Sequence, residues 1–146
     1  MFAARLRPET TLRILTWAAI FSLLLAPILG YLAGFASADF KASIPFSWEH
    51  RIEMWGYTAD RIFERPFIGH GFDAVRTFDA TFSSRGIEDW AIVSLHPHNA
   101  GLHLWAETGF VGVALACVTI LMIGIAVENF CRGQKSLTLA SAGILT

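Results

Sequence analysis

The sequence predicts an all-α integral membrane fold in which two spanning helices flank a partly helical extracytoplasmic loop, followed by the start of a third apolar segment. Of the 146 residues, 54% are hydrophobic and only 16% are charged, which is too apolar for an ordinary soluble domain of this size. Residues 14–38 and 108–127 contain no charged side chain. Each run is long enough to cross the hydrocarbon core of a bilayer as a helix.

Basic residues near the two spans predict the orientation of the chain. They are Arg5, Arg7 and Arg13 before the first span, and Arg132 and Lys135 after the second. The positive-inside rule then places both ends in the cytoplasm. We expect a cytoplasmic N-terminus (1–13), a spanning helix (14–38), an extracytoplasmic loop (39–107), a second spanning helix (108–127), a cytoplasmic turn (128–136) and a truncated apolar segment (137–146). An apolar segment that stops abruptly is typical of a piece of a longer protein, or of a short gene product derived from one.

The first apolar run has a second interpretation, as a cleaved signal peptide. Ala36, Ser37 and Ala38 form a small-residue site after a basic and an apolar stretch. The run is longer than a usual signal core, however, and Gly30 and Gly34 have a spacing that lets membrane helices approach closely. We therefore expect an anchored helix, with cleavage after Ala38 as the alternative.

Charge and cysteine usage exclude two further classes of structure. The formal net charge is −1 and no basic run is present, so nucleic-acid binding is not expected. Cys117 and Cys131 would lie about 21 Å apart on a continuous helix, which is too far for a disulfide bond.

The loop opens with a predicted amphipathic helix. Its apolar stripe has spacings of four, three, four and three residues and comprises Trp48, Ile52, Trp55, Ala59 and Ile62. Ser47 is a candidate N-cap, and Pro66 ends the helix.

Arginines lie on a neighbouring face of this helix and could present positive charge. They are Arg51, Arg61 and Arg65. The alternative is a solvated face on which Asp60 and Glu64 balance Arg61 and Arg65.

A turn follows the helix, because Pro66 blocks its continuation and Gly69 and Gly71 permit backbone conformations closed to other residues. Residues 73–89 lack sustained periodicity, so we expect a loop or a short helix that covers an apolar surface. A second helix is predicted to begin near His98, with Asn99 as its cap. Gly109 and Gly112 indicate a close approach of that helix to a neighbour.

Three chemistries were weighed for the polar residues. The series His96, His98, His103 and Glu107 resembles no accepted zinc motif, so a metal site is disfavoured. Ser94 and Ser47 lack the surroundings of an activated nucleophile.

Acid–base and electrostatic chemistry by His98 and Arg51 is favoured over both. A histidine can take a proton from a hydroxyl near neutral pH, and an arginine can hold a phosphate with two parallel hydrogen bonds. The alternative for His98 is a hydrogen-bonded structural residue.

Three motifs together resemble the O-antigen ligase and polymerase-like family of bacterial membrane proteins. They are Ser47-Trp48-Glu49-His50-Arg51-x3-Trp55, then Arg65-Pro66-Phe67-Ile68-Gly69-His70-Gly71-Phe72, then His96-Pro97-His98-Asn99-x2-Leu102-x4-Glu107-x-Gly109-x2-Gly112. The resemblance covers residues 47–127, and its most specific part is His-Asn-x9-Gly-x2-Gly.

The resemblance implies a multi-spanning glycosyltransferase of the bacterial inner membrane with a large periplasmic or extracellular loop. Such proteins move glycan from an undecaprenyl-diphosphate carrier to a hydroxyl of lipid A core, another glycan or a protein, with no metal or cofactor required. His98 matches the family's acceptor-activating histidine, and Arg51 matches the loop arginine that engages the diphosphate. Weaker substrate contacts are expected at Arg61, Arg65, Asn99 and Glu107, and a structural motif at Gly69, Gly71, Gly109 and Gly112.

This chain departs from the family pattern in one respect. Family members have many more membrane helices and a further functional arginine in an earlier loop, so the donor site is expected to be incomplete here. A fragment of this kind would be inactive alone and would need other membrane helices of a larger protein. The alternative is a non-catalytic membrane subunit, or a degenerate remnant, whose loop binds a partner.

Overall fold

The structure is a computed structural model that describes residues 8–93 and 95–143, with side chains for 9–93 and 95–133. Its elements are α1 (Pro8–Gly34), α2 (Ala38–Ser43), α3 (Phe46–Glu64), a 3-10 helix (Ala74–Thr77), β1 (Thr81–Ser84), β2 (Ile87–Ala91) and α4 (Ala100–Gly143). The mainly helical fold is confirmed, but the chain is not all-α because β1 and β2 form a hairpin. Arg5, Arg7 and Ser94 lie outside the described residues.

Two helical stretches are long and apolar enough to cross a membrane. They are Glu9–Gly34 within α1 and Ala100–Gly133 within α4. Large apolar side chains on both are exposed, with Leu29 57% and Leu115 65% accessible. Such surfaces are stable in lipid and costly in water.

The backbone of α4 continues beyond the second predicted span. Residues 128–136, for which the sequence predicts a turn, are helical in the structure. The apolar stretch that begins at Leu137 extends the same helix to Gly143, and its last three residues lie outside the described residues. The assignment of each segment to a side of the membrane stays a prediction.

One compact unit comprises the described parts of Met1–Phe21 and Ala116–Thr146. Arg13 forms a forked ion pair with Glu128, with 3.0 Å between Nε and Oε2, and Arg132 also contacts Glu128. Gly124 lies four residues before Glu128, and a Cβ built on it would lie 2.6 Å from Oγ1 of Thr16. The two helical stretches of this unit are therefore antiparallel and in close contact.

The second compact unit is Ser22–Leu115, and it contains the loop motifs. Its apolar core comprises Ala26, Met54, Ile62, Val75, Phe78, Val93, Leu102 and Ala106. Helix α3 approaches α1 where both carry glycine, since a Cβ on Gly56 would lie 2.9 Å from the Cα of Gly34. Gly34 thus makes a close approach, but its neighbour is α3, which is not one of the two candidate spans, rather than a second membrane helix.

Helix α3 carries the predicted stripe, of which Ala59 and Ile62 are buried and Trp48 is exposed. Its start differs from the prediction. The helix begins at Phe46 and Pro45 occupies the cap position without a side-chain hydrogen bond, so the cap predicted at Ser47 was wrong. Proline is suited to a helix start because its φ is already helical.

The β hairpin closes through a two-residue turn at Arg85 and Gly86, whose φ angles are 52° and 79°. Two positive φ angles define the type I′ turn, whose twist matches that of paired strands. Arg85 is held there by its side chain. Its Nε lies 2.7 Å from Oε2 of buried Glu49 as an ion pair, and its Nη2 donates to carbonyls at the end of α2, including that of Ile44 at 2.7 Å.

Candidate functional site

His98 lies between two residues that the fold fixes in place. Before it, Pro97 is fully buried and its carbonyl accepts a 2.9 Å hydrogen bond from the indole Nε1 of Trp55 on α3. After it, Oδ1 of Asn99 accepts from the backbone N–H of Leu102 at 3.1 Å and caps α4. The cap predicted at Asn99 is confirmed. His98 itself has φ 48°, a left-handed conformation that is uncommon outside glycine, although asparagine, aspartate and histidine adopt it more often than other residues.

Arg51 lies on α3, four residues before Trp55 and therefore on the same face of the helix. Its guanidinium carbon is 5.0 Å from the centroid of the Trp48 ring, a cation–π contact that orients the side chain. Among the residues that the structure describes, no ion pair joins Arg51 to a carboxylate. Its positive charge is thus available to an anionic ligand.

The surroundings of His98 keep its imidazole neutral. Partial loss of hydration lowers its pKa, and the neighbouring basic groups His96, Arg51 and His50 lower it further. The ring of His96 is closest, with its centroid 4.3 Å from that of His98. Because the charged form is disfavoured, the ring keeps a lone pair that can accept a proton at neutral pH.

A cleft of about 160 Å³ opens at this point. It is lined by His50, Met54, Leu95, His96 and His98. Three imidazoles thus meet an apolar wall, and Leu95 is 57% exposed. A cleft of mixed character with a few convergent polar groups is typical of a ligand site.

The glycine-rich turn lies against a break in α4. Gly109 has φ 60° and ψ −161°, so the helix is interrupted there and nearby backbone groups lose their helical partners. The turn supplies replacements through four hydrogen bonds of 2.8–3.1 Å: His70 N to Ala106 O, Gly71 N to Glu107 O, Phe110 N to Pro66 O, and Val111 N to Phe67 O. The second and third sequence motifs are therefore joined through their backbones.

Glycine is required where these two segments cross. A Cβ on Gly109 would lie 2.5 Å from the carbonyl carbon of Phe67, and one on Gly69 would overlap the carbonyl of Glu107. Gly112 serves a different contact, since a Cβ there would collide with the side chain of Thr108. Gly71 has φ 101° with open space beside it, so only its backbone angle favours glycine.

The other two candidate arginines lie away from His98. At 1.5 Å per residue, Arg61 and Arg65 are about 15 and 21 Å along α3 from Arg51. Arg61 stacks on Phe78 at 5.3 Å and pairs with Glu64 at 2.8 Å, which matches the balanced-face alternative. Arg65 is exposed at the end of the helix, and its role stays a prediction.

Glu107 is buried and pairs with His103 at 3.1 Å, one helical turn away on α4. His96 and His98 contact each other instead. Within 9–93 and 95–133, no three histidine, cysteine, aspartate or glutamate side chains form a group that could hold a metal ion.

The structure adds three residues to the site that the sequence did not predict: Trp55, His50 and His96. Trp55 was assigned to the apolar stripe, although its indole N–H required a hydrogen-bond partner once partly buried. His50 was visible only as a member of a motif, and His96 had been considered only as a metal ligand. Their approach to His98 depends on the tertiary fold, which no local spacing encodes.

Comparison with known proteins decides the family. The sequence profile of the O-antigen ligase family matches residues 1–117. The chain belongs to the O-antigen ligase family. This membership and the two apolar helices make it a membrane protein, as the sequence predicted.

Similar proteins occur in Rickettsia, where each bears the name "Putative polysaccharide ligase". The protein of Rickettsia typhi is 31% identical over 117 residues, which are 77% of this chain and 29% of that protein. Those of Rickettsia conorii and Rickettsia prowazekii are 32% and 37% identical over 82 and 83 residues, each match covering 54% of this chain and 20% of the relative. The chain thus spans less than a third of these relatives. No solved structure matches it significantly.

Proposed function

We propose that this chain is part of a membrane glycosyltransferase that transfers glycan from an undecaprenyl-diphosphate carrier to an acceptor hydroxyl, as an O-antigen ligase or polymerase. One observation carries the proposal: His98 lines an open cleft, and the Trp55–Pro97 hydrogen bond joins the residue before it to the face of α3 that carries Arg51, a cation with no carboxylate partner among the described residues. Family membership and the similarity to proteins named as polysaccharide ligases support the same reaction class.

The two side chains would divide the work of a glycosyl transfer. His98 accepts the proton of the acceptor hydroxyl, whose oxygen bonds to the anomeric carbon of the donor sugar. The bond from that carbon to the phosphate oxygen breaks, and undecaprenyl diphosphate leaves with the electron pair. Arg51 stabilises the negative charge that develops on the leaving diphosphate. This reaction needs neither a metal ion nor a cofactor, because Arg51 supplies the positive charge.

The membrane setting supports a lipid-linked donor. The cleft has Leu95 and Met54 on its wall, and the chain returns to an apolar helix at Ala100. We place the loop on the periplasmic or extracellular side of the bacterial inner membrane, with lipid A core, a glycan or a protein as the acceptor. Arg61, Arg65, Asn99 and Glu107 are secondary candidates for substrate contacts, and further membrane helices would complete the donor site.

The test compares substitutions that preserve the backbone. Asparagine tolerates the left-handed φ of His98 and forms hydrogen bonds, but it cannot accept the proton. With this region restored into a complete homologous enzyme, in membranes supplied with a labelled lipid-linked glycan, His98→Asn is expected to reduce transfer by about 100-fold or more. Arg51→Lys is also expected to reduce transfer, because lysine keeps the positive charge but lacks the guanidinium group that can hold a phosphate with two parallel hydrogen bonds.

Arg76→Lys provides a matched control, because Arg76 is exposed and pairs with Asp73 outside the site. Membrane insertion of each variant is checked by extraction. Wild-type transfer by correctly inserted His98→Asn would refute the catalytic role and favour a loop that only binds a partner.

A further inference from the structure

A cluster of four aromatic rings adjoins the cleft, and one of them, His50, also lines it. Phe82 and Trp90 face each other across the hairpin, and Phe46 and His50 lie on α3. The rings of Phe46, His50 and Phe82 are nearly parallel, with centroids 5.5–6.4 Å apart, and Trp90 stands edge-on to Phe46 at 5.7 Å. We call these four residues the aromatic platform.

The platform is partly accessible and held in place. Trp90 is 43% exposed, and every residue of β2 is exposed. The hairpin is fixed to α3 at two points: the ion pair of Arg85 with Glu49, and a 3.1 Å hydrogen bond in which His50 Nε2 donates to the carbonyl of Ala91. A rigid, exposed aromatic surface of this kind is characteristic of binding sites.

His50 connects the platform to the candidate reaction centre. Its ring stacks on Phe82 at 5.5 Å and also lines the cleft that contains His98. A molecule whose hydroxyl reaches His98 would therefore place its adjoining part against the platform. Two acidic residues, Glu88 and Asp89, precede Trp90 on β2, and both are exposed.

We propose that the aromatic platform binds a neutral pyranose ring of the acceptor glycan and presents its hydroxyl to His98. The face of a pyranose carries C–H groups with slight positive charge, which are attracted to the negative face of an aromatic ring. Glu88 and Asp89 can accept hydrogen bonds from sugar hydroxyls, and their charge disfavours phosphorylated or acidic sugars. This inference rests on the proposed function, because that assigns the acceptor to His98.

The kinetic test separates binding from chemistry. In the membrane transfer assay, Trp90→Ala is expected to raise the KM for the acceptor by about 3–10-fold with little change in kcat. Ile87→Ala is the matched control: Ile87 is an exposed apolar residue of the same strand and lies outside the platform. An unchanged KM in Trp90→Ala, or an equal rise in Ile87→Ala, would overturn the proposal.

A binding test does not depend on transfer. The purified chain in detergent is titrated with cellotetraose, a neutral oligosaccharide, and with the acidic tetramer of galacturonic acid, while the heat of binding is recorded by calorimetry. We expect saturable binding of cellotetraose that is lost in Trp90→Ala, retained in Ile87→Ala and His98→Asn, and at least several-fold weaker for the acidic sugar.

The outcomes distinguish the two proposals. Saturable binding that depends on Trp90, without any effect of His98→Asn on transfer, would keep the platform and refute the catalytic role. A requirement for His98 in transfer, without binding that depends on Trp90, would refute the platform and keep the catalytic role. Because Ile87→Ala truncates a side chain of the same strand, retained binding in that variant would show that a loss in Trp90→Ala does not reflect loss of the hairpin.

Discussion

The indole N–H of Trp55 donates to the main-chain carbonyl of Pro97 at 2.9 Å. This hydrogen bond joins the face of α3 that carries Arg51 to the residue directly before His98. Because Pro97 is fully buried, no water molecule could replace Trp55 as the hydrogen-bond donor to the Pro97 carbonyl. The side chain of Trp55 therefore fixes the position of His98, the proposed proton acceptor, relative to Arg51, the proposed diphosphate-binding residue. In the proposed reaction Trp55 itself touches neither substrate.

Trp55→Phe tests this positioning role. Phenylalanine keeps most of the ring but leaves the Pro97 carbonyl without its donor, at a cost of roughly 1–2 kcal/mol in unfolding free energy. We expect transfer to fall and the pKa of His98 to change, as measured by histidine NMR. Trp105→Phe is the control, because it removes a similar 2.8 Å hydrogen bond to the carbonyl of Leu23. Equal effects of both variants on the pKa of His98 would contradict a specific role for Trp55.

The charge of Arg51 predicts a shift in the titration of His98. Because that charge lowers the pKa of His98, Arg51→Gln should raise it toward its ordinary value of about 6.5. Transfer requires the neutral ring and declines as pH falls through this pKa, so the decline should begin at higher pH in the variant. NMR titration of the chain measures the shift directly. In the control variant Arg76→Gln, the pKa of His98 should stay at its wild-type value. Equal pKa values of His98 in the two variants would show that Arg51 is too distant from His98 to affect it.

The close contact between the segments that contain Gly69 and Gly109 predicts that one added methyl group strongly lowers the stability of the fold. In Gly109→Ala the new Cβ would meet the backbone of Phe67 and φ would stay at 60°, so we expect a loss of roughly 2–3 kcal/mol in stability. Thermal unfolding in detergent provides the measurement. Gly133→Ala, on the same helix with open space around the glycine, should be neutral or slightly stabilising. Wild-type stability of Gly109→Ala would mean that the segments do not cross as described.

The ion pair of Arg85 with Glu49, which fixes the hairpin to α3, predicts a further effect on stability. Arg85→Asn keeps a residue suited to positive φ but leaves Glu49 buried without its ion-pair partner. We expect a loss of roughly 1–2 kcal/mol, reduced from the value for a fully buried pair because Arg85 is partly exposed. Adding Glu49→Gln to this variant should restore part of the stability, since it removes the unpaired charge. A double variant no more stable than Arg85→Asn would exclude that ion pair as the cause.

Features set by local sequence were predictable. The 3.6-residue stripe predicted α3, the Asn99 side chain predicted the start of α4, and Pro66 predicted the end of α3 near Glu64. Each of these depends on residues within one or two helical turns. The pairing of His98 with Arg51 was predicted from the chemistry of the two side chains and then from the family resemblance, and it stays a prediction.

Features that depend on distant partners were not predictable. The hairpin was missed because Arg85-Gly86 is a weak turn signal, and Arg85 adopts positive φ where distant Glu49 holds its side chain. The sequence also indicated glycines in close approach without identifying which segments meet. Gly69 and Gly109 are 40 positions apart, and their contact follows from the break in α4.

The most direct test of the central claim is the titration of His98 in the presence of a lipid diphosphate. With labelled histidine, and with His98→Asn to assign the signal, the chain in detergent is titrated with and without undecaprenyl diphosphate. A diphosphate bound by Arg51 brings negative charge to His98, so its pKa should rise in the wild type and stay unchanged in Arg51→Gln. The same titration of His98 with and without the lipid would contradict the account.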